Sequence, residues 1–333
     1  MTSQICSYAA WAKSDEIRNS SSSGGIFAVL AEYVIENKGV VFGAFQESNN
    51  DLHHIGIAKK SEIRKLQKSK YYQSRTDTCY SQVRHELENG TLVLFSGTAC
   101  QVAGLQAFLQ NKEYKGNLIT VEILCHGVSN ADVYRRYLLS QEKKYKKRII
   151  TSEFRTKDVP WRGGGGTSMT LIFEDGTKKL IRSNDDDYFI GFNGNLILRP
   201  SCYQCPFTGV DRKSDFMLAD YWGLDESIVS VKDQEKGISL VVLSTERAKE
   251  YWKTLSGMVN CVETDIDKAI PFNLALSQPV KMHRNRDAFF KNYYKTDFHK
   301  LIFKCCFKER LYHFVWKRIG DKGISRIKRI LGK

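Results

Sequence analysis

The sequence predicts an α/β fold: a mixed, mostly parallel central sheet flanked by helices, with an antiparallel hairpin insertion and a helical C-terminal tail. Two observations support this prediction. Short apolar runs alternate with amphipathic segments at the spacing of parallel crossover units. Further along, two β-rich runs flank Asp175-Gly176, a dipeptide typical of hairpin turns. With 333 residues, 42% of them hydrophobic, the chain can bury a substantial core.

The first half contains the predicted parallel strands and their crossover helices. The strands are short apolar runs, at 40–45, 92–95 and 118–124. The helices have apolar residues at helical spacing, at 26–37, 101–109 and 131–147. Ser129 or Asn130 is the expected cap of the third helix. A turn is predicted at 96–100, where the second strand meets its helix.

The second half begins with the hairpin and returns to the sheet. Its predicted strands are at 167–173, 178–181, 216–221 and 238–244, followed by a helix at 246–255. We therefore divide the chain into three regions: an N-terminal α/β region at 1–150, a C-terminal α/β region at 151–290 and a basic helical tail at 291–333.

The positive charge of the chain is concentrated in the tail. The net charge is +14, and Ala288 to Lys333 alone carry +10, because nine Lys and four Arg face three acidic residues. Apolar residues of the tail fall on one helical stripe: Leu301, Phe303, Phe307, Leu311, Phe314, Val315 and Ile319. Basic residues lie mainly around the rest: Lys304, Lys308, Arg310, Lys317 and Arg318. This pattern fits a helix on an anionic membrane surface, or a helix packed on the body with a solvated basic face.

Several classes of protein are excluded or disfavoured. No run approaches the roughly 18 apolar residues of a membrane-spanning helix. The first residues lack the order of a signal peptide, so we expect a cytoplasmic protein, with the tail as a candidate membrane-peripheral contact. No nucleic-acid-binding motif accompanies the charge, so no nucleic-acid partner is expected.

The cysteines are the strongest chemical signal. Nine cysteines, an odd number, argue against a disulfide framework in a reducing compartment. Cys202 and Cys205 form a CxxC pair, while Cys100 and Cys125 each follow a predicted strand. If these strands are parallel neighbours, both thiols emerge at the same carboxyl edge, beside Gly97 and Gly127, where open α/β sheets bind ligands. Four converging thiolates suit an iron–sulfur cluster or a structural zinc ion, and the chemistry alone leaves both open.

The other five cysteines are interpreted as small apolar residues: Cys6, Cys79, Cys261, Cys305 and Cys306.

Seven motifs occur in this order along the chain: SSSGGIF at 21–27, KYYQS at 70–74, LFSGTACQVAGL at 94–105, ILCHGV at 123–128, FRTKDVPW at 154–161, RPSCYQCPF at 199–207 and SDFMLADYWGL at 214–224. Through them the chain resembles the beta subunit family of coenzyme F420 hydrogenases and dehydrogenases, from about Ser20 to about Phe290. The resemblance implies an iron–sulfur flavoprotein oxidoreductase with a [4Fe-4S] cluster on Cys100, Cys125, Cys202 and Cys205. It also implies FAD near Ser23, Gly24, Gly25, Lys70, Tyr71, Ser74, Thr98 and Asp220.

Two departures from the family pattern shape the expected partners. Only Cys6 precedes the SSSGG segment, where many relatives carry further cluster cysteines, so we expect one cluster and an outside ferredoxin-like electron carrier. Ala99 replaces a proline that is common before the first cluster cysteine. This short form resembles bacterial versions found in surface-polysaccharide gene clusters. The resemblance leaves the substrate open, and a deazaflavin coenzyme is doubtful.

The chemistry of the candidate flavin and substrate residues suggests a role for each group, and each group also has a structural explanation. Backbone N–H groups at Ser23-Gly24-Gly25, where a helix begins, could bind a pyrophosphate, although for the serine–glycine run taken alone a simple capped loop is the preferred explanation. Lys70 and Tyr71 could supply a cation and an aromatic wall, or form an exposed strand. A basic, aromatic lip for an anionic substrate, or an exposed hairpin edge, is predicted from Arg155, Lys157, Trp161 and Arg162.

His126 follows a cluster cysteine directly. It is a candidate proton donor near the flavin. A hydrogen bond that supports the cluster or the backbone is the alternative.

Two other functions fit the sequence. One is a zinc-stabilised, non-catalytic binding or scaffold protein of polysaccharide biosynthesis. The other is a flavin reductase that lacks a cluster.

Overall fold

The computed structural model describes residues 5–110, 112, 114–158, 161, 168–312, 315, 318 and 320. Its strands are β1 (Cys6–Ala12), β2 (Val40–Gln46), β3 (Leu52–Ile57), β4 (Val93–Thr98), β5 (Leu118–Ile123), β6 (Ile149–Phe154), β7 (Met169–Phe173), β8 (Lys178–Ile181), β9 (Phe216–Asp220), β10 (Ser239–Leu243) and β11 (Val259–Thr264). Its α-helices are α1 (Asp15–Ser20), α2 (Ile26–Glu36), α3 (Ile63–Leu66), α4 (Cys79–Glu88), α5 (Ala99–Leu109), α6 (Ala131–Tyr145), α7 (Asp187–Asn193), α8 (Val231–Glu235), α9 (Glu246–Leu255), α10 (Arg286–Lys291) and α11 (Phe298–Cys305).

Eight strands form one mixed sheet in the order β11-β1-β10-β9-β5-β4-β2-β3. The four neighbours β9, β5, β4 and β2 are parallel, whereas β3 on one side and β10, β1 and β11 on the other are antiparallel. The predicted α/β class is therefore confirmed. The sheet joins strands from both regions that the sequence separates at residue 150, and that boundary falls inside β6.

The central strands are buried on both faces, which explains their continuous apolar runs. In β4, Val93 and Phe95 pack into a core with α4 and α5. Leu94 between them points to the opposite face, into a core with α2 and α9. Helices thus cover both faces, and alternate residues of one strand supply two separate cores.

The smaller sheet is antiparallel, in the order β6-β7-β8. The predicted hairpin is confirmed as β7 and β8, joined by a turn in which Gly176 adopts a φ of +77°. Strand β6 was not foreseen; it pairs with β7 and completes the sheet. This sheet packs with α6, α7 and α11 in a core rich in tyrosine and phenylalanine.

The prediction of a turn at residues 96–100 is wrong. Strand β4 continues to Thr98 and α5 begins at once at Ala99, so Cys100 lies in the first turn of the helix. The Gln101 side chain accepts the Thr98 N–H at 3.0 Å, which allows strand and helix to join without a loop.

Gly24 lies where α2 meets the antiparallel side of the sheet. A Cβ atom at this position would lie 2.3 Å from the Ala10 carbonyl oxygen and 2.8 Å from the Ser239 nitrogen. The Ala12 N–H donates to the Gly24 carbonyl at 2.7 Å, and the Gly24 N–H donates to Ser239 Oγ at 3.0 Å. A side chain is therefore sterically excluded from this position.

The tail helix docks on the body through one face. Phe298, Leu301, Ile302 and Cys305 are buried in the core of the smaller sheet. The Asp187 carboxylate pairs with His299 at 2.7 Å and with Arg310, which holds the helix from both ends. The sequence allowed either a membrane helix or a docked helix, and this face is docked. Phe314, Lys317 and Ile319 lie outside the described residues.

Within the part of the chain that the structure describes, no helix is both long and apolar enough to cross a bilayer.

Replacing Gly24 by Ala is expected to destabilise the fold by roughly 2–3 kcal/mol, because the new methyl group has no space between β1 and β10. The check is the urea midpoint of Gly24→Ala against that of Gly257→Ala, whose added Cβ would meet no atom within 4 Å. Equal midpoints for the two variants would contradict the packing role.

A buried carboxyl makes stability depend on pH. Asp186 accepts the Tyr137 hydroxyl at 2.6 Å and the Phe189 N–H at 3.0 Å, and burial raises its pKa to about 6. Between the unfolded pKa and this value the folded chain binds more protons. The stabilisation of the fold that comes from the protonated Asp186 carboxyl is therefore fully present at low pH, and it is lost as the pH rises through about 6.

We expect ionisation of this carboxyl to lower the free energy of unfolding by roughly 2 kcal/mol from pH 4 to pH 7. Asp186→Asn keeps an acceptor for the Phe189 N–H but cannot ionise. It should therefore remove this contribution to the pH dependence of the free energy of unfolding. Chemical denaturation across this pH range measures it, with the exposed Asp267→Asn as the control. A slope that Asp186→Asn leaves unchanged would refute the assignment.

Candidate functional site

Cys100 and Cys125 meet at the carboxyl edge of two adjacent parallel strands. In the β4–β5 pair, Thr98 lies opposite Ile123, and each cysteine stands two residues beyond its strand partner. Cys100 is exposed in the first turn of α5, and Cys125 is half-buried in the loop after β5. The expected position of both thiols at one edge of the sheet agrees with this geometry.

A loop from the second half brings the CxxC pair to the same edge. The Arg199 N–H donates to the Val128 carbonyl at 2.9 Å, which fixes this loop beside the segment that follows Cys125. Cys202 lies in a single 3₁₀ turn, Pro200–Gln204, and Cys205 follows that turn. Gly127 has a φ of +142°, and a Cβ there would lie 2.9 Å from Leu198 Cδ1 and 3.4 Å from the Cys202 Cβ. The glycine is needed because the two loops approach closely.

The four thiols act on one another electrostatically. Burial raises the pKa of Cys125 to about 12, and Cys202, Cys100 and Cys205 each add to this rise. Burial also raises the pKa of Cys205, with Cys100 and Cys202 contributing. Several thiolates here would repel one another unless a cation lay between them, so the donor set fits a cationic metal centre.

The spacing of the sulfurs bears on the kind of centre. Among the described residues, two groups of three or more ligand-type side chains have all ligand atoms within 4.8 Å of one another, and neither contains any of these cysteines. A tetrahedral zinc ion, with Zn–S bonds of about 2.3 Å, would hold its sulfurs about 3.8 Å apart.

A chain of polar contacts runs from Cys100 to the KYYQS segment. The Thr98 hydroxyl lies 3.1 Å from Cys100 Sγ and 3.1 Å from Gln101 Oε1. The Gln101 amide donates in turn to Ser74 Oγ at 2.9 Å. The structure thus links Ser74 and Thr98 through Gln101, which sequence reasoning missed. The sequence does contain a signal for Gln101, because a threonine followed by a glutamine three residues later is a capping-box pattern.

Arg155 joins three of the predicted flavin segments. Its guanidinium forms a bidentate ion pair with Asp220, at 2.7 and 3.0 Å. It also donates to the Ser22 carbonyl at 2.9 Å and to the Tyr71 hydroxyl at 3.2 Å. Asp220 and these partners hold the pKa of Arg155 above its usual range despite burial. The Nε atom of Arg155 has no partner among the described residues.

The predicted basic, aromatic lip is therefore not an exposed surface. Arg155 is only 4% exposed, and Trp161 is buried, donating to the Ser22 carbonyl and stacking on Trp222 at 4.2 Å. The Lys157 ammonium donates to backbone carbonyls, including that of Ser23 at 2.7 Å. These side chains turn inward because the carbonyls of the serine-rich loop need donors. Arg162 lies outside the described residues.

Lys70 lies apart from the Arg155 cluster, beside a polar cleft. Its ammonium donates to the carbonyls of Ala44, Leu66 and Gln67 at 2.8–3.2 Å. Burial lowers its pKa to about 7, but three carbonyl acceptors match the three N–H donors of the charged form. The cleft has a volume of about 430 Å³, and Arg64, Lys65, Lys68 and Lys70 line it together with Glu153. Basic residues outnumber acidic ones in this lining.

The Ser23-Gly24-Gly25 segment precedes α2 as the sequence predicts. Gly25 caps the helix with a φ of +90°, a conformation that suits glycine. The Ser23 hydroxyl donates to the Ile238 carbonyl at 2.8 Å, and Gly24 is buried against β1 and β10. Packing alone thus explains Gly24, and the prediction that these residues bind a phosphate stays a prediction.

His126 lies beside the cysteine loop and packs on Phe192, with ring centroids 5.3 Å apart. Burial lowers its pKa, so the neutral imidazole is favoured. This ring could accept or donate a proton at one edge of the site.

The other five cysteines lie away from this edge. Cys79, Cys305 and Cys306 are buried, while Cys6 and Cys261 are half-buried on adjacent strands β1 and β11. Cys306 comes near His283 and Glu309, but both ring nitrogens of His283 already have partners, the Asn285 N–H and the Glu309 carboxylate. That group is satisfied without a metal.

Comparison with solved structures shows the fold in a known protein. A chain in the xenon-derivatised structure of the F420-reducing [NiFe] hydrogenase complex from Methanosarcina barkeri is similar to this chain, with a TM-score of 0.53. The alignment covers 88% of this chain and 92% of that chain at 16% identity. No curated protein matches the sequence.

Two family models match the chain, and both describe the beta subunit of coenzyme F420 hydrogenase/dehydrogenase. The model of its N-terminal part matches residues 7–78, and the model of its C terminus matches residues 90–268. The second match alone spans more than half of the sequence, and it includes all four cysteines of the site. The chain therefore belongs to the coenzyme F420 hydrogenase/dehydrogenase beta subunit family, whose members are oxidoreductase subunits.

Proposed function

We propose that this protein is an iron–sulfur flavoprotein oxidoreductase that passes electrons between a [4Fe-4S] cluster, bound FAD and a substrate or carrier. One observation carries the proposal: the register of β4 and β5 brings Cys100 and Cys125 out at the carboxyl edge of the parallel strands, and the turn with Cys202 packs against Gly127 at the same edge. Open α/β sheets bind their ligands at this edge. The family, a group of oxidoreductase subunits, supports the same chemistry.

The proposed cluster ligands are Cys100, Cys125, Cys202 and Cys205. Four cysteine thiolates are a ligand set that suits a [4Fe-4S] cluster, and membership of a family of oxidoreductase subunits favours a cluster over a structural zinc ion. Cys100 stands at the N-terminus of α5, where the helix dipole favours an anion. Thr98 can donate a hydrogen bond to its sulfur, and such bonds are one of the ways a protein sets the potential of a cluster.

The proposed FAD site contains Ser23, Gly24, Gly25, Lys70, Tyr71, Ser74, Thr98 and Asp220. Arg155 supports it by holding the serine loop, Tyr71 and Asp220 in one arrangement. Arg64, Lys65 and Lys68 line the cleft beside Lys70, and each is paired with a carboxylate, so an anionic part of a nucleotide would bind there by displacing one of these partly exposed ion pairs. Through Gln101, the contacts of Ser74 lead directly to a cluster cysteine, which would place flavin and cluster side by side.

A flavin and a cluster together convert two-electron chemistry into single-electron transfer. Cys100 and Ile123 are exposed at the edge of the sheet, so a ferredoxin-like carrier could approach the cluster there. The neutral imidazole of His126 can hold or move a proton beside the cysteine loop. A hydrogen bond that orients this loop is the second role open to it.

Absorption spectra of the anaerobically purified protein test the proposal directly. Flavin bands together with the broad absorption of an iron–sulfur cluster are expected, with FAD released on denaturation. A colourless protein that contains zinc would instead support the binding or scaffold function of polysaccharide biosynthesis. Flavin without iron would support a simple flavin reductase.

Removal of a ligand should abolish cluster binding. Cys100→Ser, Cys125→Ser and Cys202→Ser are each expected to lose most of their iron and sulfide after anaerobic reconstitution, because three thiolates leave one iron unligated. Iron and acid-labile sulfide per chain are the measurements, and Cys261→Ser, which alters a half-buried cysteine of β11, is the control. If two of the site variants kept the iron content of the wild type, the ligand assignment would be wrong.

Removal of the Thr98 hydroxyl should lower the reduction potential of the cluster. Hydrogen bonds to a thiolate stabilise the reduced, more negative cluster. One such bond, worth about 0.5–1.5 kcal/mol, corresponds to roughly 20–60 mV for a single electron. Redox titration followed by electron paramagnetic resonance measures the shift in Thr98→Val. Thr98→Ser keeps the hydroxyl and should stay near the wild-type potential; a shift of equal size in both variants would rule out the hydrogen bond.

A further inference from the structure

The helix that begins the tail has two different faces. One face is buried against the body through Leu301, Ile302, Cys305 and Cys306. The other presents Phe303, Phe307 and Leu311, which are 48%, 52% and 50% exposed. These three follow one another at intervals of four residues, and helical hydrogen bonds continue past α11, from the Arg310 N–H to the Cys306 carbonyl at 3.0 Å. Cys306 interrupts the helix with non-helical dihedral angles, but the rings of Phe303 and Phe307 lie 5.8 Å apart across it, and Leu311 follows Phe307 by one helical turn, so the three form one apolar strip.

Basic residues border this strip. Lys300, Lys304 and Lys308 also recur at intervals of four and are exposed. Within the described ranges, none of these three lysines forms an ion pair with a carboxylate. The acidic residues of the helix are used elsewhere: Asp297 caps the helix by accepting the Lys300 N–H, and Glu309 lies against His283. The outer face is therefore apolar and positively charged.

We propose that this face binds an anionic lipid surface. Large apolar side chains flanked by lysines are what a helix lying in the plane of a membrane interface requires, because the apolar groups enter the acyl boundary while the ammonium groups meet the headgroups. The net charge of the tail supports binding to anionic lipid, since the segment from Ala288 to Lys333 carries +10. The opposite face of the helix stays packed on the body, so the protein would bind as a folded whole.

The charge alone would also attract nucleic acid, but the strip argues for lipid. Binding to phosphates needs cations and polar donors, and it gives no reason to expose two phenylalanines and a leucine side by side. A lipid surface explains the apolar strip and the lysines together.

Vesicle sedimentation of the full-length protein tests the proposal. Wild-type protein is expected to bind phosphatidylcholine vesicles that contain phosphatidylglycerol, and to bind pure phosphatidylcholine at least tenfold more weakly. Added salt should weaken binding because it screens the lysines. The triple variant Phe303→Ser, Phe307→Ser, Leu311→Ser and the triple variant Lys300→Gln, Lys304→Gln, Lys308→Gln should each bind roughly tenfold more weakly.

The control is a triple variant that removes three apolar side chains exposed elsewhere: Leu139→Ser, Phe272→Ser and Leu274→Ser. It should bind like the wild type, and circular dichroism checks that every variant is folded. Equal binding of the wild type to both vesicle types, or unchanged binding of the Phe303/Phe307/Leu311 variant, overturns the proposal. So does binding to duplex DNA, weakened by the lysine variant, in a protein that does not sediment with vesicles.

Discussion

The parallel pairing of β4 with β5 is the constraint on which the site depends. Its register sets Thr98 opposite Ile123 and so brings Cys100 and Cys125 out at one edge. A shift by one residue would turn the apolar side chains of β4 to the wrong cores, which makes this register strongly determined. The position of the two thiols is thus fixed by hydrophobic packing far from them.

The second half of the site depends on buried hydrogen bonds. Arg155 and Lys157 extend from the end of β6 towards the serine-rich loop and satisfy carbonyls that have no partner in a strand or helix. The bidentate pair with Asp220 then ties this loop to β9. Because these groups are buried, removing one partner would leave the others desolvated and unpaired, so the arrangement is rigid.

Much of the sheet could be predicted from the sequence, because the central strands are continuous apolar runs separated by helices of clear period. Strand β1 could not. It has weak alternation, and it lies between β10 and β11, whose sequences are more than 200 residues away. Strand β6 was missed for a similar reason, since the hairpin signal identifies only β7 and β8. For the site, the shared edge of Cys100 and Cys125 could be predicted from strand ends, but the inward turn of Arg155 depends on a carbonyl-rich loop that no local pattern reveals.

The threading of β1 between late strands has a consequence for biogenesis. Strand β1 can pair with both β10 and β11 only after Thr264 has left the ribosome. The four cysteines of the site can come together only after Cys205 has done so. Long-range pairings of this kind delay native topology until the last of the paired strands has been synthesised. A cluster at these cysteines would therefore be inserted only after all four have been synthesised, and the exposed Cys100 would be its point of access.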